Sequence, residues 1–145
     1  MAHSIDLRLE ILVKQSIYVM GDSDRLYRAI ANLINNAIQY TPAHGVVTIR
    51  LESLERNATV TIEDNGIGID AADLPHIFDR FYRVQADRAR NTGGTGLGLA
   101  IVKAIVQAHH GSIQVDSQLD LGTTFIVRLA IKATPSKISN QNQIV

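Results

Sequence analysis

Two glycine-containing motifs contain residue types that could bind a ligand. Asp-Asn-Gly-Ile-Gly-Ile occupies residues 64–69, and Gly-Gly-Thr-Gly-Leu-Gly-Leu occupies residues 93–99. The first follows an alternating segment, 58–63, so the carboxylate of Asp64 is expected at a strand end, where it would accept a hydrogen bond from an exocyclic amine. In the second, glycines let successive backbone N–H groups converge on an anion at the start of a helix. Together the motifs predict a nucleotide pocket.

Each motif alone has an ordinary explanation, because Asn-Gly and Gly-Gly are common turn sequences. The familiar glycine signatures are absent as well. No G-x-x-x-x-G-K-[ST] occurs, and residues 94–99 lack the third glycine of the dinucleotide fingerprint at its required offset. The run before the helix is harder to explain as a turn, because each glycine costs about 0.5–1 kcal/mol relative to alanine in regular structure.

A helix predicted over residues 24–40 is the third element. Asp22, Ser23 or Asp24 would cap its start, and Pro42 would stop it. At ~100° per residue, its apolar stripe comprises Leu26, Ile30, Leu33, Ile34 and Ala37, and its polar stripe comprises Arg28, Asn32, Asn35, Asn36 and Gln39. Asparagine is a poor helix former, so the polar stripe is either a solvated face or a binding face, with amide oxygens on Mg²⁺ and amide nitrogens on phosphate. The helix alone leaves both interpretations open.

Hydrophobic periodicity predicts the elements that position these motifs. Strands are predicted at 5–11, 17–20, 46–52, 58–63, 112–117 and 123–131, and a second helix at 99–109. The third and fourth strands, and likewise the last two, are expected to form hairpins. Strands grouped with interspersed helices predict an α/β sandwich of two layers.

In this order the motifs resemble those of the ATP-binding catalytic domain of sensor histidine kinases. Residues 32–42 resemble the N box of that family, 64–68 the G1 box, 77–83 the F box and 94–99 the G2 box, and 121–125 resemble its late glycine-threonine strand entry. The resemblance covers residues 5–131. It implies the Bergerat, or GHKL, ATP-binding fold: a two-layer α/β sandwich with a mixed, mainly antiparallel sheet and helices packed on one face.

The resemblance also implies a role for each matched residue, with ATP and Mg²⁺ as cofactors. Asp64 would accept from the adenine amino group, and Asn36 would ligate Mg²⁺ with help from Asn32. Arg83 would neutralise charge near the terminal phosphate, so Asn36 and Arg83 are the catalytic candidates. The other implied contacts are Gly66, Gly68 and Ile69 at the base, Tyr40 near the ribose and phosphates, Gly94, Thr95, Gly96, Leu97, Gly98 and Leu99 at the triphosphate, and Thr123 on the adenine side through water.

Two positions depart from the family pattern. Gln39 stands where a phosphate-contacting lysine is common, and it brings a hydrogen-bond donor but no charge. Asn35 stands where many members have an acidic residue or histidine suspected of acting as a base, so an in-domain general base is in doubt. The charged stretch 83–92 would be a mobile lid or a plain solvated connection. Before it, an apolar hinge of Leu74, Ile77, Phe78 and Phe81 would pack on the core or on a partner helix.

The acceptor of the phosphoryl group is expected on another domain. The family phosphorylates a histidine on a helical hairpin, and no histidine of this chain (His3, His44, His76, His109, His110) has the sequence setting of such an acceptor. The resemblance therefore implies a domain of a longer membrane-linked or cytoplasmic sensor kinase, which donates the γ-phosphate of Mg-ATP to the dimerisation and phosphoacceptor domain of its parent. A response regulator receiver domain is the further implied partner, and the isolated domain is expected to be monomeric.

Two other classes of function stay open. One is a related ATPase of the gyrase B or MutL type, or an anti-sigma serine kinase. The other is a degenerate module that binds nucleotide only to regulate a partner, and Gln39 is its best clue.

The composition limits the possibilities further. The sequence has 145 residues, no net formal charge and 46% hydrophobic residues, enough for one domain with a core. Balanced charge argues against nucleic acid as the main partner. Cysteine is absent, which suits a cytoplasmic protein, and no signal peptide or long apolar run occurs. We expect the ATP-binding domain over residues 1–133 and a polar, disordered tail over 134–145.

Overall fold

A computed structural model of the protein describes residues 4–83 and 98–132. In chain order the elements are β1 (Asp6–Ile11), α1 (Ser23–Gln39), β2 (Val46–Leu54), β3 (Asn57–Asp64), a 3₁₀ turn (Leu74–His76), α2 (Gly98–Ala108), β4 (Ser112–Gln118) and β5 (Gly122–Ala130). The predicted domain end at 133 and the predicted tail lie outside the described residues, as does the stretch 84–92. Neither of the two described helices is long and apolar enough to cross a membrane.

The five strands form one sheet in the order β1-β2-β3-β5-β4. β1 runs parallel to β2, and the other three neighbouring pairs are antiparallel. Both helices pack on the same side of this sheet and contact each other. The predicted fold class, a two-layer α/β sandwich with a mixed, mainly antiparallel sheet, is confirmed.

Alternation along the strands places every second side chain between the sheet and the helices. Val47 of β2, Ile62 of β3 and Phe125 of β5 are 0–1% exposed there, and they pack with Leu33 of α1 and Val102 of α2. The opposite face of the sheet is mostly polar and carries Thr48, Arg50, Thr61, Glu63, Thr124 and Arg128. The site must therefore lie at an edge of the covered layer, where a strand end is still accessible.

α1 begins at a well-defined cap. The side chain of Asp22 accepts hydrogen bonds from the backbone N–H groups of Asp24 and Arg25, at 3.0 and 3.1 Å. Of the three predicted caps, Asp22 is therefore the N-cap. The buried residues of the helix are Ala29, Leu33 and Ala37, with Leu26 and Ile34 packed against the core. The predicted apolar stripe thus faces inward, although Ala29 rather than Ile30 occupies a fully buried position.

One predicted strand is wrong. Within residues 17–20 only Val19 forms a β-bridge, to Ile131. β5 has already ended at Ala130, so the segment finds a single bridging residue and one further hydrogen bond, from Lys132 N to Tyr18 O at 2.6 Å. The other predicted strands and both helices agree with the structure to within two residues at each end.

A histidine joins the two helices at the end away from the glycine motifs. The backbone N–H of Asp22 donates to His109 Nε2 at 2.9 Å, and His109 Nδ1 lies 2.8 Å from Ile105 O. A carbonyl oxygen only accepts, so Nδ1 carries the proton and Nε2 is the acceptor, which makes the ring the neutral Nδ1–H tautomer. A Cβ on Gly21 would overlap this ring. His109 is thus a structural residue that serves α1 as well as the carbonyl end of α2.

Replacing His109 with alanine should lower the free energy of unfolding by about 1–2 kcal/mol, because the hydrogen bond to Asp22 and the ring contacts are both lost. Urea denaturation measures this change. The neighbouring His110 is exposed and has a φ of 58°, so His110→Asn is a suitable control that preserves the local backbone. Equal stability of the two variants would contradict the role of His109.

Candidate nucleotide-binding site

Asp64 is a buried carboxylate at the end of β3. It lies two residues after Ile62, on the same covered face of the sheet, and is only 6% exposed. Its Oδ1 accepts from Gly66 N at 2.9 Å and from Thr123 N at 3.3 Å. Oδ2 receives no hydrogen bond from the residues that the structure describes. Asp64 therefore keeps an acceptor available for a ligand group that donates.

Burial is the main influence on the pKa of the Asp64 carboxyl group. Loss of hydration raises the pKa of Asp64 above its usual value, the backbone N–H groups of Gly66 and Thr123 lower it, and the charge of Glu63 raises it further. The net result is an increase, so the ionised form is less favourable here than in water. A ligand that donates a hydrogen bond to the carboxylate would relieve this cost.

The segment after Asp64, residues 65–69, forms a tight loop that we name the glycine loop. A Cβ on Gly66 would overlap the carbonyl oxygen of Tyr40, and Ile67 N donates to that same oxygen at 3.1 Å. Gly68 has a φ of 73°, and a Cβ there would overlap the carbonyl oxygen of Gln118. Among the described residues both glycines thus admit backbone atoms of the protein itself, and their implied contacts with the base stay predictions.

Asn65 has a structural function in the same loop. Its Oδ1 accepts from Val46 N at 2.8 Å, and its own N–H donates to Val46 O at 3.2 Å. These bonds continue the pairing of β2 and β3 by one residue beyond the strands. The asparagine of the motif therefore fixes where Asp64 emerges, while Asp64 keeps an acceptor for chemistry.

The amides of α1 fall into two groups. Asn35 and Gln39 are exposed, whereas Asn32 and Asn36, one turn apart, are half-buried. Asn32 Nδ2 lies 3.5 Å from Gly98 O, a long hydrogen bond to the first residue of α2. The Asn36 side chain makes no hydrogen bond within the described ranges. Of the predicted polar stripe, Asn32 contacts the start of α2, and Asn36 lies one turn further along the same face of α1.

The second glycine motif is described only in its last two residues. Gly98 is exposed at the start of α2, and Leu99 is half-buried against the core. Gly94, Thr95, Gly96 and Leu97 lie outside the described residues, so their predicted contacts with phosphate stay predictions. In the parts 4–83 and 98–132, no group of three or more His, Cys, Asp or Glu side chains could hold a metal ion.

The segment before Arg83 packs only in part as predicted. Ile77 is buried, Leu74 and Phe78 pack on the core, and Phe78 contacts Phe125 edge to face at 6.2 Å. Phe81, in contrast, is 66% exposed and has a φ of 66°, with the Arg80 guanidinium 5.5 Å from its ring. Three residues of the predicted apolar hinge therefore pack on the core, and packing of the exposed Phe81 on a partner helix stays a prediction.

Tyr82 holds the end of this segment near Arg83. Its hydroxyl donates to the buried carboxylate of Asp73, and its ring lies 5.2 Å from that of His76. Arg83 is half-buried and is the last described residue before the stretch 84–97.

No pattern in the sequence identified Ser117 as part of the site. Its Oγ accepts from Ile69 N at 2.8 Å and lies 2.8 Å from Thr123 Oγ1 and 3.0 Å from Gly122 O. The only available signal is the register of the last hairpin, which pairs Ser117 with Thr123, and that register is not fixed by composition or periodicity. Gly122, with a φ of 123°, leaves space for the carbonyl oxygen of Asp64, which a Cβ would overlap.

The buried carboxyl group predicts a pH-dependent stability. A raised pKa in the folded protein means that the folded state holds its proton to higher pH than the unfolded state, so stability falls as pH rises from about 3.9 through the folded pKa. Asn at position 64 retains the oxygen that accepts from Gly66 and Thr123 but does not ionise. Asp64→Asn should therefore gain stability relative to the native protein between pH 4 and pH 7.

Urea denaturation at both pH values measures this difference. Asp116→Asn, at an exposed position of β4, is the matched control and should show no such gain. A native protein and an Asp64→Asn variant with parallel pH dependence would show that burial at Asp64 has no energetic consequence.

Comparison with known proteins identifies relatives of this chain. Residues 21–133 match the family described as Histidine kinase-, DNA gyrase B-, and HSP90-like ATPase. The chain is 49% identical over 134 residues to the sensor histidine kinase RppB of Synechocystis sp., which covers 92% of this chain and 29% of that protein. It is 43% identical over 123 residues to the sensor histidine kinase WalK of Bacillus subtilis, covering 83% of this chain and 20% of that protein. The chain thus spans less than a third of the length of either relative.

Solved structures agree with this assignment. The mycobacterial sensor histidine kinase MprB superposes with a TM-score of 0.78 at 33% identity, covering 90% of this chain and 86% of that one. Full-length ShkA, solved in complex with AMPPNP, superposes with a TM-score of 0.76 at 26% identity, covering 91% of this chain and 27% of that one. The chain therefore belongs to the histidine kinase-, DNA gyrase B- and HSP90-like ATPase family, as a catalytic domain of the sensor histidine kinase type.

Proposed function

We propose that this domain binds Mg-ATP and donates the γ-phosphate to a histidine on a separate dimerisation and phosphoacceptor domain, the first step of two-component signalling. One observation carries the proposal: Asp64 is a buried carboxylate with Oδ1 held by two backbone donors and with Oδ2 left to accept. The ShkA structure, which contains AMPPNP, supports an adenine nucleotide as the ligand.

Asp64 would select the base. The adenine amino group donates, so it would satisfy Oδ2 and stabilise the buried charge. Guanine presents a carbonyl oxygen at the same position, which would leave two acceptors facing each other at a cost of about 1–3 kcal/mol. Ile69 and the backbone of Gly66 and Gly68 would form the walls around the base, and Thr123 would assist through water.

The phosphates would lie between α1 and the start of α2. Asn36 would hold Mg²⁺ through its amide oxygen, helped by Asn32, which already contacts the first residue of α2. The ion would neutralise charge on the phosphates. Tyr40 would contact the ribose and phosphates, and residues 94–99 would cradle the triphosphate at the helix start.

The reaction needs a cation near the terminal phosphate and an acceptor from outside. Arg83 would supply positive charge where negative charge develops during transfer. His109 is bonded through both ring nitrogens, so it is not suited to accept the phosphoryl group. A partner hairpin would therefore bring the imidazole into line with the phosphate.

Relatives and composition support the proposed setting. The relatives compared above are sensor histidine kinases and are more than three times as long as this chain, so further domains and response regulators are the proposed partners. None of them favours a gyrase-type ATPase, an anti-sigma kinase or a purely regulatory module. We also propose a cytoplasmic location, which the absence of cysteine supports. A monomeric isolated domain and the absence of a nucleic-acid partner stay predictions.

Base selection by Asp64 predicts a preference for ATP. The native protein should bind ATP about tenfold or more tightly than GTP, and Asp64→Asn should reduce ATP affinity by a similar factor, since the amide would present a donor to the adenine amine. Calorimetric titration measures both, and Asp116→Asn serves as the control. Equal affinities of the native protein for ATP and GTP would rule out this assignment.

Phosphotransfer should require the missing domain. This chain with Mg-ATP should form no phosphohistidine, whereas adding the dimerisation hairpin of its parent should yield acid-labile phosphohistidine on the hairpin. Arg83→Ala should slow transfer more than it weakens ATP binding, because its charge is needed most as charge develops. Arg128→Ala, on the open face of the sheet, is the matched control. Stoichiometric phosphohistidine on the isolated chain would overturn the proposal.

A further inference from the structure

Ser117 connects three parts of the site through one hydroxyl group. It is half-buried near the end of β4 and accepts a hydrogen bond from Ile69 N, at the exit of the glycine loop. The same oxygen lies within hydrogen-bond distance of Gly122 O and of Thr123 Oγ1. One small side chain therefore links the loop to the start of β5.

The strand register extends this link to the base-reading carboxylate. Thr123 is paired with Ser117 across β4 and β5, and with Asp64 across β3 and β5. Paired residues of neighbouring strands point to the same face, so the three side chains form one row on the covered side of the sheet. Thr123 N also donates to Asp64 Oδ1, so backbone and side chains of the row are connected.

The single proton of Ser117 has two possible destinations. A serine hydroxyl donates once and accepts twice, and the N–H of Ile69 uses one of its acceptor positions. If Ser117 donates to Gly122 O, Thr123 must donate to Ser117 and offers only lone pairs to a ligand. If Ser117 donates to Thr123 Oγ1, the proton of Thr123 is free to be donated elsewhere. The direction of one hydrogen bond thus decides whether Thr123 acts as donor or acceptor.

We propose that Ser117 is a positioning residue for base recognition, which holds the glycine loop at Ile69 and orients the hydroxyl of Thr123. The inference rests on the proposed function. Adenine presents a donor, its amino group, beside an acceptor, its ring N1. Asp64 supplies the acceptor for the first. In the arrangement in which Ser117 donates to Thr123 Oγ1, the proton of Thr123 is donated to the second, directly or through water. Hypoxanthine presents the reverse pattern, a carbonyl beside an N–H, and fits this row poorly.

The test compares ATP with inosine triphosphate, because the two bases differ only at this edge. Ser117→Ala removes both the acceptor for Ile69 and the partner of Thr123. We expect it to weaken ATP binding by about tenfold and inosine triphosphate binding by clearly less, so that the preference for ATP shrinks. Ser117→Thr keeps a hydroxyl and should restore the native preference. Ser112→Ala, on the same strand at an exposed position, should match the native protein.

A double-mutant cycle separates the orientation of the Thr123 hydroxyl from a general loosening of the site. Thr123→Val removes the hydroxyl that Ser117 orients, so in that background Ser117→Ala should no longer change the ratio of the two affinities. Calorimetry at a temperature where thermal unfolding shows every variant folded measures the ratio.

An unchanged ratio in Ser117→Ala, or equal weakening of both nucleotides, would assign Ser117 to structure alone and overturn the inference. The native protein is a separate arm of the experiment. If it binds neither nucleotide, the proposed function itself fails, whereas native ATP binding with an unaltered Ser117→Ala ratio rejects only the role of Ser117.

Discussion

The carboxylate of Asp64 is the group on which the geometry of the site depends. It ends β3 between the sheet and the helices, where burial raises its pKa and makes its charge costly. Only backbone N–H groups reach its Oδ1, so the chain after β3 must turn back at Gly66 and β5 must pass beside it at Thr123. At both places a backbone oxygen occupies the space that a Cβ would need, which explains the glycines at positions 66 and 122. One buried charge thus determines the path of two chain segments.

Two hydrogen bonds on the covered side of the sheet hold the two helices at a defined spacing. Asn32 contacts the first residue of α2, and His109, just after the last, accepts from the N–H of Asp22 at the cap of α1. α2 is therefore tied to α1 at both of its own ends, as well as packed along the core. In the proposed reaction α1 holds the metal and the start of α2 approaches the phosphates. Since the ties fix the spacing of the helices, they also fix the distance between those two functions.

Hydrophobic periodicity predicted the fold well, because alternation along a strand follows directly from which side chains are buried. It failed at residues 17–20, where apolar residues cover the end of β5 without a strand to pair with. Spacing placed Asp64 and the asparagines of α1, but it did not separate the half-buried Asn32 and Asn36 from the exposed Asn35, since burial depends on how α1 packs in three dimensions. Ser117 was not predictable, because a serine acquires its neighbours only when the hairpin register is set. Site chemistry that depends on backbone donors is therefore visible only in three dimensions.

The base and phosphate ends of the proposed site are built differently. The glycine loop is held on one side by Tyr40 and on the other by Ser117 and by the N–H of Asp120, which donates to Ile67 O at 2.8 Å. On the phosphate side, the described residues contribute an amide without a hydrogen bond, Asn36, and an exposed, uncharged Gln39. A base pocket that is already formed loses little conformational entropy on binding, so its interaction energy is available to hold the phosphates in a weaker environment. In the proposed function, the loop would thereby offset the charge that Gln39 does not supply, and affinity would come from the adenine end while the γ-phosphate would stay accessible to an incoming histidine.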